Sequence, residues 1–506
     1  MRTKKTVINA IGVALLYLVK TVLVFITKTL VIRQLGDSYN GIDGLFTSII
    51  SMLSVAELGV GSAIVYNLYE PVKKNDYSTI KSIIYFYKKC YRIIGVVVLL
   101  AGLLVIPMVP DLIGDVHISD NIILVYIAFL ADSVCTYFYS YKQSIFIACQ
   151  ENYIISIYTS IKTFLLQLCR ILIIIFMHNY LCYVSLAVIF GLGLNLFLCF
   201  KADRKYPYLK DKDIEPLSPV IINNIKEKVK GLLFHKIGGY IVLGTDNILI
   251  SKMTGVITVG LYSNYILIVN TFEQLLGQML DAVVPSLGNF LLENDKQKNY
   301  TIYRNILFLC HVVFSAASIV FCVQIGDFIS IWIDDNHRLG SWIVYFISLN
   351  FYSYGMRKPL AVFENASGTY YSNRFVPIAE SITNLIVSVI LAYYYGLAGI
   401  IIGTAISSIW IFLCDYPVYI WKNQFNKHIS CYFADIARCI LEWNVLLIFV
   451  FAIKNILSQI VGAKSILIWL AESFLLTVVV LLVFWGLYKK KEEFIYYKSL
   501  LYKLKK

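Results

Sequence analysis

The chain has 506 residues, 59% of them hydrophobic and only 15% charged, with a formal net charge of +13. Soluble domains carry about 25% charged residues. Apolar stretches of about 20 residues recur here from end to end, the length a helix needs to cross ~30 Å of hydrocarbon, which excludes a soluble globular protein and defines an all-α polytopic membrane protein.

About fourteen spans are predicted, near 7–32, 41–68, 82–108, 119–147, 153–177, 179–200, 231–254, 256–286, 302–326, 341–364, 375–395, 397–420, 437–457 and 466–488. The opening "MRTKK" and the run after it are expected to be the first span rather than a cleaved leader, because the run is long and no small-residue site follows it. Basic residues fix the orientation. With the N-terminus inside, Arg2, Lys4, Lys5, Lys73, Lys74, Lys81, the linker "KADRKYPYLKDKDIEPLSPVIINNIKEKVK" and the tail "KKKEEFIYYKSLLYKLKK" are cytoplasmic. The outer loops keep Arg33, Lys252, Arg338, Lys454 and Lys464. This positive-inside asymmetry puts both termini in the cytoplasm and accounts for most of the charge without a nucleic-acid partner. The linker and tail are placed to touch anionic lipid. The linker's second half, "VIINNIKEKVK", is expected to form an amphipathic helix on the inner surface. The eleven cysteines have no framework spacing and read as packing residues inside spans, as at Cys169, Cys199, Cys310 and Cys322.

Shifting "LVIRQLGDSYNGIDGLF" by about 219 residues onto "LISKMTGVITVGLYSNY" superposes Gly36 on Gly255, Gly41 on Gly260 and Arg33 on Lys252. The same shift places Ser51 on Asn270, Ser54 on Glu273 and Ser62 on Asp281. This predicts two parallel six-helix repeats: an N-terminal lobe over 1–200, a basic linker over 201–230 and a C-terminal lobe over 231–421. Two added spans over 422–488 and a basic tail over 489–506 complete the chain. Folds of this kind hold substrate at the repeat interface.

The first span carries Lys20 and Lys28. A charge at the bilayer centre costs roughly 2.5–3.5 kcal/mol on insertion scales, so something must offset it. Lys20 is too deep to snorkel; for Lys28 snorkelling to the outer interface is an even alternative; Arg33 caps the outer end. The fifth span repeats the spacing with Lys162 and Arg170. The seventh carries His235, Lys236 and Asp246, and the tenth Arg357 and Lys358. Ion pairs between helices are the competing reading for all of these, with Asp43, Glu57, Asp132, Asp246, Glu273 and Asp281 as partners. Asp43, Thr47, Ser51, Ser54 and Glu57 form a polar stripe on the second span; Asn270, Gln274, Gln278 and Asp281 form one on the eighth. Such stripes face protein or water, not lipid. Lys20, Lys28, Lys162, Arg170 and Lys236 are therefore candidate anion-binding cations of a wet cavity. Asp43, Glu57, Asp246, Asn270, Glu273, Gln274 and Asp281 are its candidate polar or ion-coupling groups. Phosphate or pyrophosphate is the matching ligand chemistry.

The stretches "SMLSVAELGVGSAIVYNLYEPVKKND", "RQLGDSYNGIDGLF" and "GTDNILISKMTGVITVGLYSNYILIVN" resemble the bacterial polysaccharide repeat-unit flippases of the multidrug/oligosaccharidyl-lipid/polysaccharide exporter superfamily. "AELGVGSAI", with Glu57, is the most specific of them. The resemblance implies two six-helix lobes in a V around a cationic cavity, with two C-terminal helices added as in lipid II flippases. It implies transport of undecaprenyl-pyrophosphate-linked oligosaccharides across the bacterial cytoplasmic membrane by alternating access, for capsule or exopolysaccharide synthesis. It also implies contact with other polysaccharide-assembly proteins. It does not assign the cavity cations, which rest on depth and facing alone. A multidrug exporter of the related branch is the first alternative, although it needs an acidic cavity; a flippase of another polyprenyl-linked wall precursor is the second. No zinc, P-loop or dinucleotide motif occurs, nor the large outer loop of a polymerase or the nucleotide-sugar site of a glycosyltransferase. No enzyme activity, metal or cofactor is expected, and coupling to H+ or Na+ through Glu57, Asp246 or Glu273 stays open.

Overall fold

A computed structural model describes residues 2–505 apart from 58, 115, 117, 212, 282–283, 292–294, 368–372 and 461–464. Side chains of 1–18, 231–232, 234–236, 240–243, 281, 285–286, 289, 460 and 500–505 also lie outside the description. The described chain is helical throughout and falls into two compact units, Met1–Ser263 and Asn264–Lys506.

The first unit contains α1 (Arg2–Leu35), α2 (Asp37–Leu53), α3 (Val60–Lys74), α4 (Tyr77–Ile113), α5 (Ile122–Ala148), α6 (Asn152–Met177), α7 (Tyr180–Lys205) and α8 (Pro219–Thr254), and it ends inside α9 (Val256–Asp281). The second continues with α10 (Lys296–Trp332), α11 (Ser341–Ser367), α12 (Val376–Tyr395), α13 (Leu397–Gln424), α14 (Ile429–Ile460), α15 (Ile466–Tyr488) and α16 (Glu492–Lys505). Among the described residues nine helices are long and apolar enough to cross a membrane, and the bent pair α2–α3 makes a tenth. The long helices α1, α8, α9 and α11, of 34, 36, 26 and 27 residues, bring the set to the fourteen expected.

Short polar residues start these helices. Asp76 accepts from the Thr79 amide at 3.1 Å, Asn121 from Ile123 and Leu124, Asn179 from Cys182, and Asp295 from Gln297 and Lys298, each satisfying donors of a free first turn. These bonds to Thr79 hold the Asp76 carboxyl below its usual range. Asn75 and His178, both left-handed, end α3 and α6.

The glycine pairs of the repeat have matching geometry. Gly36 breaks α1 from α2 at φ 100°, ψ 171°, and Gly255 breaks α8 from α9 at φ 94°, ψ 155°. Both conformations are open to glycine and strained for other residues. Gly41 and Gly260 then face one another's helix. A Cβ on Gly41 would stand 2.0 Å from the Val256 carbonyl oxygen, and one on Gly260 2.9 Å from that of Asp37. Asn40 Nδ2 donates to the Gly260 carbonyl at 2.9 Å across this crossing. Because the obstacle is backbone, Gly41→Ala is expected to cost about 1–3 kcal/mol, read as a lower thermal unfolding midpoint in detergent, whereas Gly114→Ala, with nothing within 4 Å of its added Cβ, reports only the strain of its own φ of 71°.

Two expectations need correction. The second span is not one helix over 41–68: α2 ends at Leu53, a 3₁₀ turn covers Ser54–Glu57, Gly59 sits left-handed at φ 75°, and α3 leaves at 44°. Gly59 of "AELGVG" makes that break, and Glu57 turns to meet Tyr91. The linker's second half is not a separate surface helix either. Pro219 opens α8 at its first turn and no glycine or proline interrupts 220–230, so the helix runs unbroken for 36 residues to Thr254. The rest of the linker is pinned to the start of α4, where Ser78 and Ser82 donate to Glu215 and Lys81 lies 3.4 Å from Asp211.

In the second unit, ion pairs and hydrogen bonds tie α14, α15 and α16 to α10. Arg304 holds Asp435 at 2.7 Å and Glu493 at 2.6 Å, His311 meets Glu442 at 2.9 Å, and Lys454 joins Asp327 and Glu472. Tyr488 also donates to Glu442, and Trp443 to Ser318, both at 2.8 Å. Removing one partner of a part-buried network leaves the others uncompensated at about 3–5 kcal/mol. Arg304→Ala is therefore expected to release α16, read as trypsin cleavage in the tail at protease levels that leave the parent intact.

Candidate functional site

The cations of the first and fifth spans converge. Thr27 on α1 donates to Gln167 on α6 at 2.9 Å in a buried contact that fixes the two helices in register. Either side of this pin stand Lys20 and Lys28 on α1, and Lys162 and Arg170 on α6. Lys20 is exposed and the other three are half-buried. Lys162 lies in the field of Asp132, Arg170 and Lys20; Asp132 in that of Lys162 and Arg170; Lys28 in that of Asp43. Gly191 on α7 makes room for the Asp132 carboxylate, since a Cβ there would lie 2.6 Å from its oxygen.

Two buried tyrosines organise this charge. The Arg170 guanidinium lies 4.4 Å over the Tyr183 ring and its Nε donates to the Tyr183 carbonyl at 3.2 Å. Tyr183 stacks on Tyr180 at 5.4 Å, and the Tyr180 hydroxyl donates to Asp43 at 3.3 Å. Sequence reasoning passed over Tyr180, Tyr183 and Gln167. Tyrosines near a helix start commonly anchor at the membrane interface, and the available signal was the "YLCY" spacing.

Among the described residues no carboxylate stands within ion-pair distance of Lys20, Lys28, Lys162 or Arg170, while the half-buried cations Arg357 and Lys454 are paired, the first with Glu380 and the second with Asp327 and Glu472. Four cations against Asp43 and Asp132 leave a surplus of two positive charges. Guanidinium and ammonium groups with spare donors have the hydrogen-bonding chemistry to pair with a divalent anion.

The remaining candidates lie elsewhere. Glu57 sits in a separate pocket against Tyr91. Asp246 is half-buried on α8, next to Asn247, which donates to Ser48 at 2.9 Å. Asn270, Gln274 and Gln278 are exposed on α9. Glu273 is half-buried in the field of Lys358 and Arg357. The ion-pair alternative describes Arg357. The side chains of His235, Lys236 and Asp281 lie outside the described residues. All eleven cysteines are free thiols.

No family model matches the sequence, and no curated protein matches it significantly. Solved structures do match its fold. An inward-facing multidrug resistance MATE family transporter of the MOP superfamily aligns at TM-score 0.61 with 13% identity, over 85% of this chain and 98% of that one. Lipid II flippase MurJ in an inward closed conformation aligns at TM-score 0.62 with 15% identity, over 94% and 99%. An outward-facing MATE transporter of the same superfamily aligns at 0.55 with 13% identity, over 87% and 95%. The chain therefore has the fold shared by MATE and MurJ transporters, and is a multi-pass helical membrane protein of that architecture.

Proposed function

We propose that this protein flips undecaprenyl-pyrophosphate-linked oligosaccharide repeat units from the inner to the outer leaflet of the bacterial cytoplasmic membrane, by alternating access, for cell-surface polysaccharide synthesis. The observation that supports this most is that Lys20, Lys28, Lys162 and Arg170 have no carboxylate within ion-pair distance among the described residues. A membrane helix keeps uncompensated charge only where an aqueous path or ligand offsets its cost. The diphosphate docks on these cations while the prenyl chain stays in lipid. With the cell interior negative, one charge crossing 100 mV is worth about 2.3 kcal/mol, so the empty cationic site is drawn inward and a bound diphosphate releases that bias.

Export of an organic cation is the second reading, favoured by the MATE fold itself. The two make opposite demands on the site, because a net-positive cluster repels a cationic drug. Deletion of the gene separates them: the flippase reading expects lipid-linked repeat units to build up in the cell with unchanged drug resistance. Raised drug sensitivity without that build-up supports the exporter.

A further inference from the structure

The first unit holds a cavity of about 570 Å³, inside the ~300–1,000 Å³ range of small-molecule sites, at the break between α2 and α3. Its base is Glu57, Tyr87 and Tyr91, whose oxygens converge on Gly61. A Cβ there would stand 2.8 Å from both hydroxyls and 2.9 Å from Glu57 Oε1, so only glycine leaves the space open. Tyr91 donates to Glu57 Oε1 at 2.8 Å, and nothing among the described residues bonds Oε2. The mouth carries Tyr66 and Tyr69, 57% and 45% exposed, with rings edge to face at 6.4 Å. Gln143 donates its amide to Asn195 and Ser144 its hydroxyl to the Tyr141 carbonyl, leaving acceptor atoms on the wall.

Exposed aromatic faces over a floor of one carboxylate and several acceptors match a polyol. Ring C–H faces lie on tyrosine, and vicinal hydroxyls donate to the carboxylate and amide oxygens. An aromatic cage with an acid also matches an organic cation. Here, however, Lys228 on α8 sits 3.3 Å over one face of the Tyr66 ring, which puts the protein's own positive charge at the mouth and disfavours a second cation, while the ring stays 57% exposed. The wall also includes Ser62 and Ser140, hydroxyl groups useful to a sugar and of little use to an apolar cation.

We infer that this tyrosine-lined pocket binds a sugar residue of the transported glycan, separately from the cationic cluster that takes the diphosphate. The inference rests on the flippase reading and gives the "AELGVG" stretch a physical role: its glycines break the span and empty the pocket.

The test uses full-length protein in lipid nanodiscs and saturation-transfer NMR. The probes are glucose, galactose, N-acetylglucosamine and glucuronate at millimolar concentration, with inorganic pyrophosphate and tetraphenylphosphonium measured in parallel. At least one sugar is expected to receive saturation, with affinity about tenfold weaker in Tyr66→Ala and in Glu57→Gln and unchanged in Lys162→Ala. Tyr66 is exposed, so its variant keeps the fold, checked by an unchanged unfolding midpoint. No transfer to any of the four sugars, or transfer indifferent to both pocket variants, overturns the inference. So does tetraphenylphosphonium binding that Tyr66→Ala removes. The pyrophosphate arm reports on the flippase reading by itself: binding lost in Lys162→Ala and kept in Tyr66→Ala supports that reading whatever the sugars do.

Discussion

Arg170→Ala is expected to lower repeat-unit export by about 10–100-fold, the loss of one charge-assisted contact of roughly 1.5–3 kcal/mol, while protein abundance in the membrane stays normal. Arg170 makes no ion pair among the described residues, so its removal strands no buried carboxylate. Its structural contacts are the face and carbonyl of Tyr183, which stays packed against Tyr180 without it. Arg170→Lys keeps the charge and loses the planar stack and the fork of donors, and export is expected to fall between the two. Quantifying surface polysaccharide alongside immunoblotted protein checks this. Normal export in Arg170→Ala reduces the residue to a support for Tyr183.

The larger effect is expected from reversing the cluster. Lys28→Glu with Lys162→Glu takes the four cations and two carboxylates from a surplus of two positive charges to a deficit of two. Diphosphate binding is expected to disappear, because like charge now faces the ligand and costs several kcal/mol. Neither lysine has a carboxylate within ion-pair distance among the described residues, so folding loses no salt bridge. Pyrophosphate binding to the purified double variant, read against its unfolding midpoint, separates lost recognition from lost fold. An organic cation that binds the double variant and not the parent marks the inversion of the site.

Much of the architecture is legible in the sequence because a bilayer simplifies the rules. Length and apolarity place the spans. The 219-residue shift found Gly36 and Gly255 because an abrupt helix break between two membrane helices admits little but glycine, and both sit at the same positive φ near 100°. The eight-residue spacings put Lys20 with Lys28, and Lys162 with Arg170, on shared helix faces, whereas the Thr27–Gln167 contact that sets the two helices together was not readable. What the sequence hid depends on packing between distant segments. The Glu57 break looked like helix continuing, since a 3₁₀ turn keeps the polarity of the stripe while turning its last residue toward Tyr91. Tyr180 and Tyr183 lie near a helix start, where interface anchors also occur, and only the fold sets them against Asp43 and Arg170. α13 winds as a π-helix over Ile411–Trp421 around Pro417 and buries Asp415 against Asn373 at 2.8 Å. Nothing in the local apolar pattern marks that segment.

The most direct test of the account is the fate of lipid-linked repeat units in cells lacking the gene. Undecaprenyl-pyrophosphate oligosaccharide is expected to accumulate where an externally added glycosidase cannot reach it, to become accessible when the parent gene is restored, and to stay inaccessible with the Lys28→Glu, Lys162→Glu variant. Oligosaccharide fully accessible from outside in the deletion strain, with no accumulation, contradicts the account.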